Sequence, residues 1–376
     1  MGVETPGSGR VILLGTSPIM MIKALHLHHR GAQVTLLERE SHIGGSWYTR
    51  DLCGHKQVEF SVHELLERPR VYRFMEECLG LELGTSPEAH GRWGSRRFDI
   101  ATYRLMVVLR QLLQLARAGD FAEAYRYRAE LVRKLRYALV TTRYPVGGAV
   151  VMLQRLYDLL GQAGAPIRLG VTAESVDLQA DRQGGVVHTS DGDLPFDQIV
   201  FGQSAHCPVA IDGVPFRFDA EERLVTTLLL HVEGEVLEDG PLYTWDDPIV
   251  RRYRNVGRFL DLPLPAGRAL LGLSTRADRH RQREHLDETA PAALERMTQL
   301  GLVAPGARLV DRYLESYRLT KIPRAELERM ERALRPGVLP MSTWDLSECL
   351  DSMLQDPESL SLPRRARAQG RPRPGG

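Results

Sequence analysis

The 376-residue chain lacks most of the features that would announce a chemistry outright. Its four cysteines, Cys53, Cys78, Cys207 and Cys349, are scattered without CxxC spacing. That pattern gives neither a zinc site nor a disulfide framework, and they read as free core thiols. Positive and negative side chains nearly cancel, with a formal net charge of +1, so no whole-protein field draws the chain to nucleic acid or to a membrane surface. No apolar run is long enough to span a bilayer, and the stretch before Val11 has no basic segment followed by an apolar one. The expected location is therefore the cytoplasm. Lysine is nearly absent, arginine carrying almost all the positive charge, a composition to which no mechanism attaches. No P-loop, nucleophile elbow or internal repeat is found. His280 and His285 are too far apart for the zincin spacing, and His26, His28 and His29 have no carboxylate or thiolate to complete a metal set. No metal is expected, and function has to be read from local sites.

What is present is an apolar fraction of 43%, ample for a core, in an order that begins as β-α-β. Val11 to Leu14 is a short apolar run ending at Gly15. Pro18 to His29 has helical spacing closed by Gly31, and Gln33 to Leu37 is a second apolar run ending at Glu38. Leu65 to Leu79 and Tyr103 to Ala118 read as amphipathic helices, and Asp120 can cap a third reaching Leu139. A Pro/Gly turn, Tyr144 to Gly148, precedes a helix over Val150 to Gln162. Strands are then expected at Ile167 to Leu169, Ser175 to Gln179, Gly185 to Thr189 and Gln198 to Phe201.

Leu224 to His231 is β-branched and apolar, and Tyr243 to Phe259 alternates aromatic, apolar and arginine residues, which points to a mixed, mostly antiparallel second sheet. Further helices are expected at Asp287 to Leu300, Arg324 to Leu334 and Trp344 to Leu354, and the Pro/Gly/Arg-rich tail 363–376 reads as disordered. The expected fold class is α/β: a discontinuous Rossmann-type domain (1–63, 144–205, 335–362), a helical insertion (64–143) and a substrate-side sheet with helices (206–334).

A dinucleotide-binding β-α-β unit needs a glycine turn, backbone close to a pyrophosphate at a helix N-terminus, and an acid at the end of the second strand for ribose hydroxyls. Gly15 and Glu38 occupy those places. The loop Gly15-Thr16-Ser17-Pro18-Ile19-Met20 nevertheless keeps only the first of three glycines: Ser17 adds a side chain, Pro18 removes a donor and Met20 adds bulk. On this loop alone, an ordinary β-α-β unit is an equal reading.

The continuation, Glu38-Arg39-Glu40-Ser41-His42-Ile43-Gly44-Gly45-Ser46-Trp47-Tyr48, resembles the superfamily of FAD-dependent amine oxidases, phytoene desaturases and UDP-galactopyranose mutases. Tyr144-Pro145-Val146-Gly147-Gly148 and the following segment resemble its second FAD-contacting block. The resemblance implies FAD as cofactor, held by Gly15, Thr16, Ser17, Glu38, Arg39, Gly44, Gly45, Ser46 and Trp47, with Ala173 at the adenine. Asp345, in the segment Gly337 to Leu346, would either contact the ribityl chain or simply cap a helix.

Within the superfamily, Glu59-Phe60-Ser61-Val62-His63 and Phe98-Asp99-Ile100 are similar to segments of UDP-galactopyranose mutases, with Ser61 where those have glycine. That likeness implies His63 near the isoalloxazine, hydrogen-bonding the flavin or relaying a proton, although a lone histidine also serves purely structural ends.

Arg251, Arg252, Tyr253 and Arg254 either line a pocket for an anionic small-molecule substrate or form a solvated strand face. Tyr317, with Arg318 and Lys321, has the same two readings. Three functions follow: a FAD-dependent oxidoreductase-like enzyme acting on a small molecule, a mutase-like flavoenzyme without net redox change, or a degenerate flavoprotein fold that has lost FAD and serves as a binding or partner subunit, with a homodimer also open.

Overall fold

A computed structural model describes residues 9–60, 63–119, 142–179, 184–201, 207–217, 221–274, 286–321 and 338–340, with Leu350 and Leu354; for 221–225, 316–321 and 338–340 it describes the backbone alone. The N-terminal unit is the one the sequence predicts. Strand β1 (Arg10–Leu14) leads into helix α1 (Pro18–His29) and strand β2 (Gln33–Glu38). β1 and β2 pair in parallel, and the sheet extends outward with Ile167–Leu169 beside β2, and with Gln198–Phe201 and then Val338–Pro340 beside β1, all parallel.

Side-chain alternation explains why β1 is a continuous apolar run. Val11 and Leu13 point to one face, into a core built with Met20, Met21 and Ile22 of α1 and Met152, Leu153 and Leu156 of the helix Ala149–Ala163. Ile12 and Leu14 point to the other, into a core with Val176, Val187, Phe196 and Ile199. A strand covered on both sides has no polar face to show. The second cover is a five-stranded sheet over residues 173–216, in which the Gly192–Phe196 strand closes a hairpin against Gly185–Thr189.

The other large body is a seven-stranded, mostly antiparallel sheet in the order Arg308–Lys321, Glu221–Glu233, Arg268–Ser274, Arg252–Asn255, Leu242–Thr244, His90–Trp93, Arg96–Asp99. Its core gathers Leu228, Leu230, Leu271 and Leu273 under the helix Leu286–Gln299.

Three expectations change. Leu65 to Leu79 is not one helix: Leu65–Leu66 is a strand, and a short helix from Pro69 to Arg73 continues through a wider turn, Phe74–Cys78. Pro69 takes the first position of that helix, where its missing N–H leaves no hydrogen bond unmade. The insertion is not wholly helical either, since 90–99 forms a hairpin that completes the second sheet, beside the helix Ile100–Arg117. Arg308–Lys321 is a long strand without a counterpart in the sequence reading, its charged residues having masked the period-2 pattern. The helices expected at 120–139, 324–334 and, apart from Leu350 and Leu354, 344–354, together with Asp345 and the tail 363–376, lie outside the described residues.

Candidate functional site

At the C-terminal edge of β1 and β2 the chain builds a closed polar knot. Gly15, at φ +100°, turns the backbone so that its N–H donates to the Leu37 carbonyl at 2.8 Å. Thr16 is fully buried, and its N–H and hydroxyl both donate to Glu38 Oε2, at 3.0 and 2.7 Å. The Glu40 N–H donates to Glu38 Oε1 at 3.1 Å. Ser17 is the N-cap of α1, yet its hydroxyl makes no capping bond there, and Pro18 takes the first helical position.

The paired glycines cross over this turn. The Gly44 N–H donates to the Thr16 carbonyl at 3.2 Å, and a Cβ on Gly44, at φ +113°, would come within 2.8 Å of Leu153 Cδ1. A Cβ on Gly45 would lie 3.4 Å from Ser17 Cβ. The segment that carries Ala173 is anchored to the same edge, since the Val171 N–H donates to the Glu38 carbonyl at 2.9 Å.

The acid end fits a dinucleotide sugar. A carboxylate offers about four acceptor positions. Glu38 uses three of them on Thr16 and Glu40, which leaves one on Oε1 for a ribose hydroxyl. The phosphate position is tighter, because Ser17 presents a side chain where the dinucleotide-binding motif calls for glycine.

Beyond the glycine pair, Trp47 stacks on His63 with ring centroids 4.4 Å apart, and His42 stacks on Tyr48 at 3.9 Å. Arg39 is exposed and pairs with Glu40 at 3.1 Å; Ser46 is half-buried.

A second cluster lies where the first domain meets the seven-stranded sheet. The Tyr144 hydroxyl donates to Glu59 Oε2 and accepts the Ala149 N–H at 3.2 Å, tying the Tyr144–Gly148 turn to the helix it opens. Glu59 is 1% exposed; burial lifts its carboxyl from the usual 4.5 to about 8, against the lowering pull of Tyr144, Ala149 and Arg254. Burial and the neighbouring Glu59 push the Tyr144 phenol well above its ordinary range.

Arg252 and Arg254 both reach Glu64, Arg252 Nη2 at 3.4 Å and Arg254 Nη2 in closer contact, and the Thr142 hydroxyl donates to the same carboxylate at 2.9 Å. Beside them opens a shallow, half-open cleft lined by Phe60, Thr227, Arg252, Arg254, Gly272 and Ser274 among others.

Of the four residues of the Arg251 to Arg254 run, Arg252 and Arg254 line this cleft. Tyr253, on the opposite face of the strand, is fully buried in the sheet core, its hydroxyl donating to the Glu238 carbonyl at 2.7 Å, and Arg251 is exposed. Of Tyr317 only the backbone is described, paired with Val225. Glu59 and Glu64 were not singled out, although both bracket the Phe60 to His63 segment. Among the described residues no helix is long and apolar enough to cross a membrane, and no cluster of three metal-ligating side chains occurs.

Residues 21–78 match the family model of an NAD(P)-binding Rossmann-like domain, a match that starts after the altered glycine loop. No curated protein matches the sequence. Among solved structures, an oxidoreductase from Methanosarcina mazei aligns over 92% of this chain and 100% of its own, with 12% identity and a TM-score of 0.60. Reduced UDP-galactopyranose mutase aligns over 92% and 96%, with 14% identity and a TM-score of 0.61. Putrescine oxidase bound to putrescine aligns over 93% and 99%, with 11% identity and a TM-score of 0.59. Over nine-tenths of its length the chain therefore shares its fold with these solved structures, an oxidoreductase, a mutase and an amine oxidase, and its N-terminal unit is Rossmann-like.

Proposed function

We propose that the chain is a FAD-dependent oxidoreductase-like enzyme that acts on a small molecule. The observation that carries the reading is Glu38: a buried carboxylate at the end of β2, fixed by Thr16 and Glu40 yet keeping one acceptor position for a sugar hydroxyl. The residues that would hold the cofactor are Gly15 and Thr16 at the turn, Glu38 at the ribose, Gly44 and Gly45 along the diphosphate, and the Ala173 segment at the adenine. When bound, FAD supplies a two-electron acceptor, chemistry that no side chain of this chain provides. Trp47 follows the glycine pair directly and stacks on His63, which makes His63 the candidate for proton relay or for a hydrogen bond to the flavin. We place the protein in the cytoplasm.

Two other readings are kept. A mutase-like enzyme without net redox change rests on the Glu59 to His63 segment. A flavin-free binding or partner subunit, or a homodimer with such a role, is favoured by one observation: Ser17 lies against Gly45, and Thr16 and Glu40 together occupy three of the roughly four acceptor positions of Glu38.

The test is direct. The purified chain is expected to show flavin absorbance near ~450 nm, or to acquire it on incubation with FAD. A colourless protein that takes up no FAD removes both enzyme readings. With flavin bound, anaerobic bleaching by substrate supports oxidation, and product formed only after pre-reduction supports the mutase reading.

A further inference from the structure

Arg254 is the least satisfied charge among the described residues of the second sheet. It is 4% exposed, and although Nη2 pairs with Glu64, neither Nε nor Nη1 has a hydrogen-bond partner. Arg252 Nε is also buried and unpartnered. Burying guanidinium nitrogens without acceptors is costly, and a fold retains such an arrangement where a ligand completes it.

The charge count points the same way. Arg252 and Arg254 share one carboxylate, Glu64, while the other carboxyl at this place, Glu59, is held in a hydrogen bond with Tyr144 in a fully buried setting that favours its neutral form. One positive charge is left in excess at the wall of a cleft.

Strand pairing supplies the rest of the cleft. Arg252 is opposite Ser274, and Ser274 is opposite Thr227. One row across three strands therefore presents a guanidinium and two hydroxyls. In the next row Arg254 is opposite Gly272, over which Val256 packs so closely that a Cβ there would meet Val256 Cγ2 at 2.8 Å. Phe60 adds an apolar wall. The set combines cationic and hydroxyl donors with a hydrophobic side, which is the composition of a pocket that orients an amphipathic anion.

We propose that this cleft binds the anionic group, a carboxylate or a phosphate, of the small-molecule substrate, with Arg254 and Arg252 as its charged partners and Thr227 and Ser274 as hydroxyl donors. The inference rests on reading the chain as a small-molecule enzyme, and it concerns a different part of the molecule from the cofactor edge.

Benzoate, phenyl phosphate and the uncharged benzyl alcohol, titrated calorimetrically into the full chain, test it. At least one anion is expected to bind and to raise the melting temperature, the tighter of the two identifying carboxylate or phosphate, with no heat from benzyl alcohol. Arg254→Gln is expected to weaken the preferred anion by about tenfold or more. Should that buried variant fail to fold, Arg252→Gln, at a more exposed position, is expected to weaken it several-fold in a protein with an unchanged circular dichroism spectrum. Binding of benzyl alcohol as tight as that of the anions, no binding of either anion, or wild-type affinity in Arg252→Gln overturns the proposal. Flavin uptake by the same sample is read separately. Anion binding without flavin leaves this site standing and removes the enzyme readings, and flavin without anion binding does the converse.

Discussion

The edge of β1 and β2 and the Arg252/Arg254 cleft are both polar clusters buried against apolar walls, and they treat their polar atoms in opposite ways. At the strand edge Thr16 donates twice to Glu38 and Glu40 once, and Gly44 closes over Thr16. In the cleft, Arg254 Nε and Nη1, Arg252 Nε and Glu59 Oε1 have no partner. A satisfied network rigidifies a fold, whereas an unsatisfied one stores free energy that a ligand can release. The first region therefore mainly holds shape, its remaining Glu38 acceptor serving the sugar hydroxyl of the proposed cofactor, and the second is the one our proposal has a ligand complete.

The hardest blow to that contrast is Glu64→Gln. It leaves the buried Arg254 and the partly exposed Arg252 without a carboxylate, and a loss of about 3 kcal/mol in urea unfolding is expected, as for breaking a buried pair from one side. Added benzoate or phosphate should recover part of that loss by binding where Glu64 is missing. A variant as stable as the parent would mean the arginines are solvated and the cleft is not charged as argued.

Thr16→Val probes the other region with a smaller expected effect. It keeps the volume but removes the hydroxyl that donates to Glu38, at a cost of about 2 kcal/mol for a lost bond to a buried carboxylate. The same change frees an acceptor position on Glu38, so FAD affinity should hold or rise even as the melting temperature falls. A parallel loss of both would show that Thr16 positions Glu38 for the sugar.

Much of the first region was legible in the sequence, and the reason is physical. A strand buried on both faces must be apolar throughout, so β1 and β2 announce themselves, and an acid directly after such a run stands out. The second region was half legible. The run Arg251 to Arg254 was visible, but in a strand a one-residue shift moves every side chain to the opposite face, and Arg251 and Tyr253 have the wrong parity. Nothing local in the sequence fixes that parity; it is set by Tyr253 finding Glu238 in the core. Glu59 was hidden for another reason, since a glutamate beside Phe60 reads as a solvated residue until Tyr144, far along the chain, is seen against it. The hairpin at 90–99 escaped because an arginine-rich edge has no apolar face to count.

pH sharpens the contrast further. Glu59 keeps its proton up to about pH 8 in the folded chain, but near the usual 4.5 once unfolded. Between those values the folded state binds more protons, so this contribution to stability is complete below 4.5, declines as pH rises and is gone above about 8. A slope of about 1 kcal/mol per pH unit at most is expected between pH 6 and 7, and Glu59→Gln should flatten it. Anion binding should hold below that value and weaken as pH rises through about 8, because only then does Glu59 of the folded chain ionise and balance the charge that Arg252 and Arg254 hold in excess over Glu64. Tyr144 and Tyr243, both pushed up by burial, stay neutral there. A pH-independent anion affinity would detach Glu59 from the cleft.

Arg251→Gln is the change expected to do least, and for that reason it is the sharpest control. Arg251 is exposed, and its backbone N–H, which donates to the Ser274 carbonyl at 2.9 Å, survives the substitution. Stability should move by less than about 0.5 kcal/mol, as for most surface replacements. Anion affinity should stay within about twofold of the parent, because a screened surface charge adds little to a site on the other face of the strand. Three adjacent arginine positions then separate by geometry alone: 254 decisive, 252 intermediate, 251 silent. If Arg251→Gln instead weakened the anion as much as Arg252→Gln, the cleft would owe its binding to the general positive field of the strand, and the distinction between a satisfied edge and a site awaiting its ligand would fall.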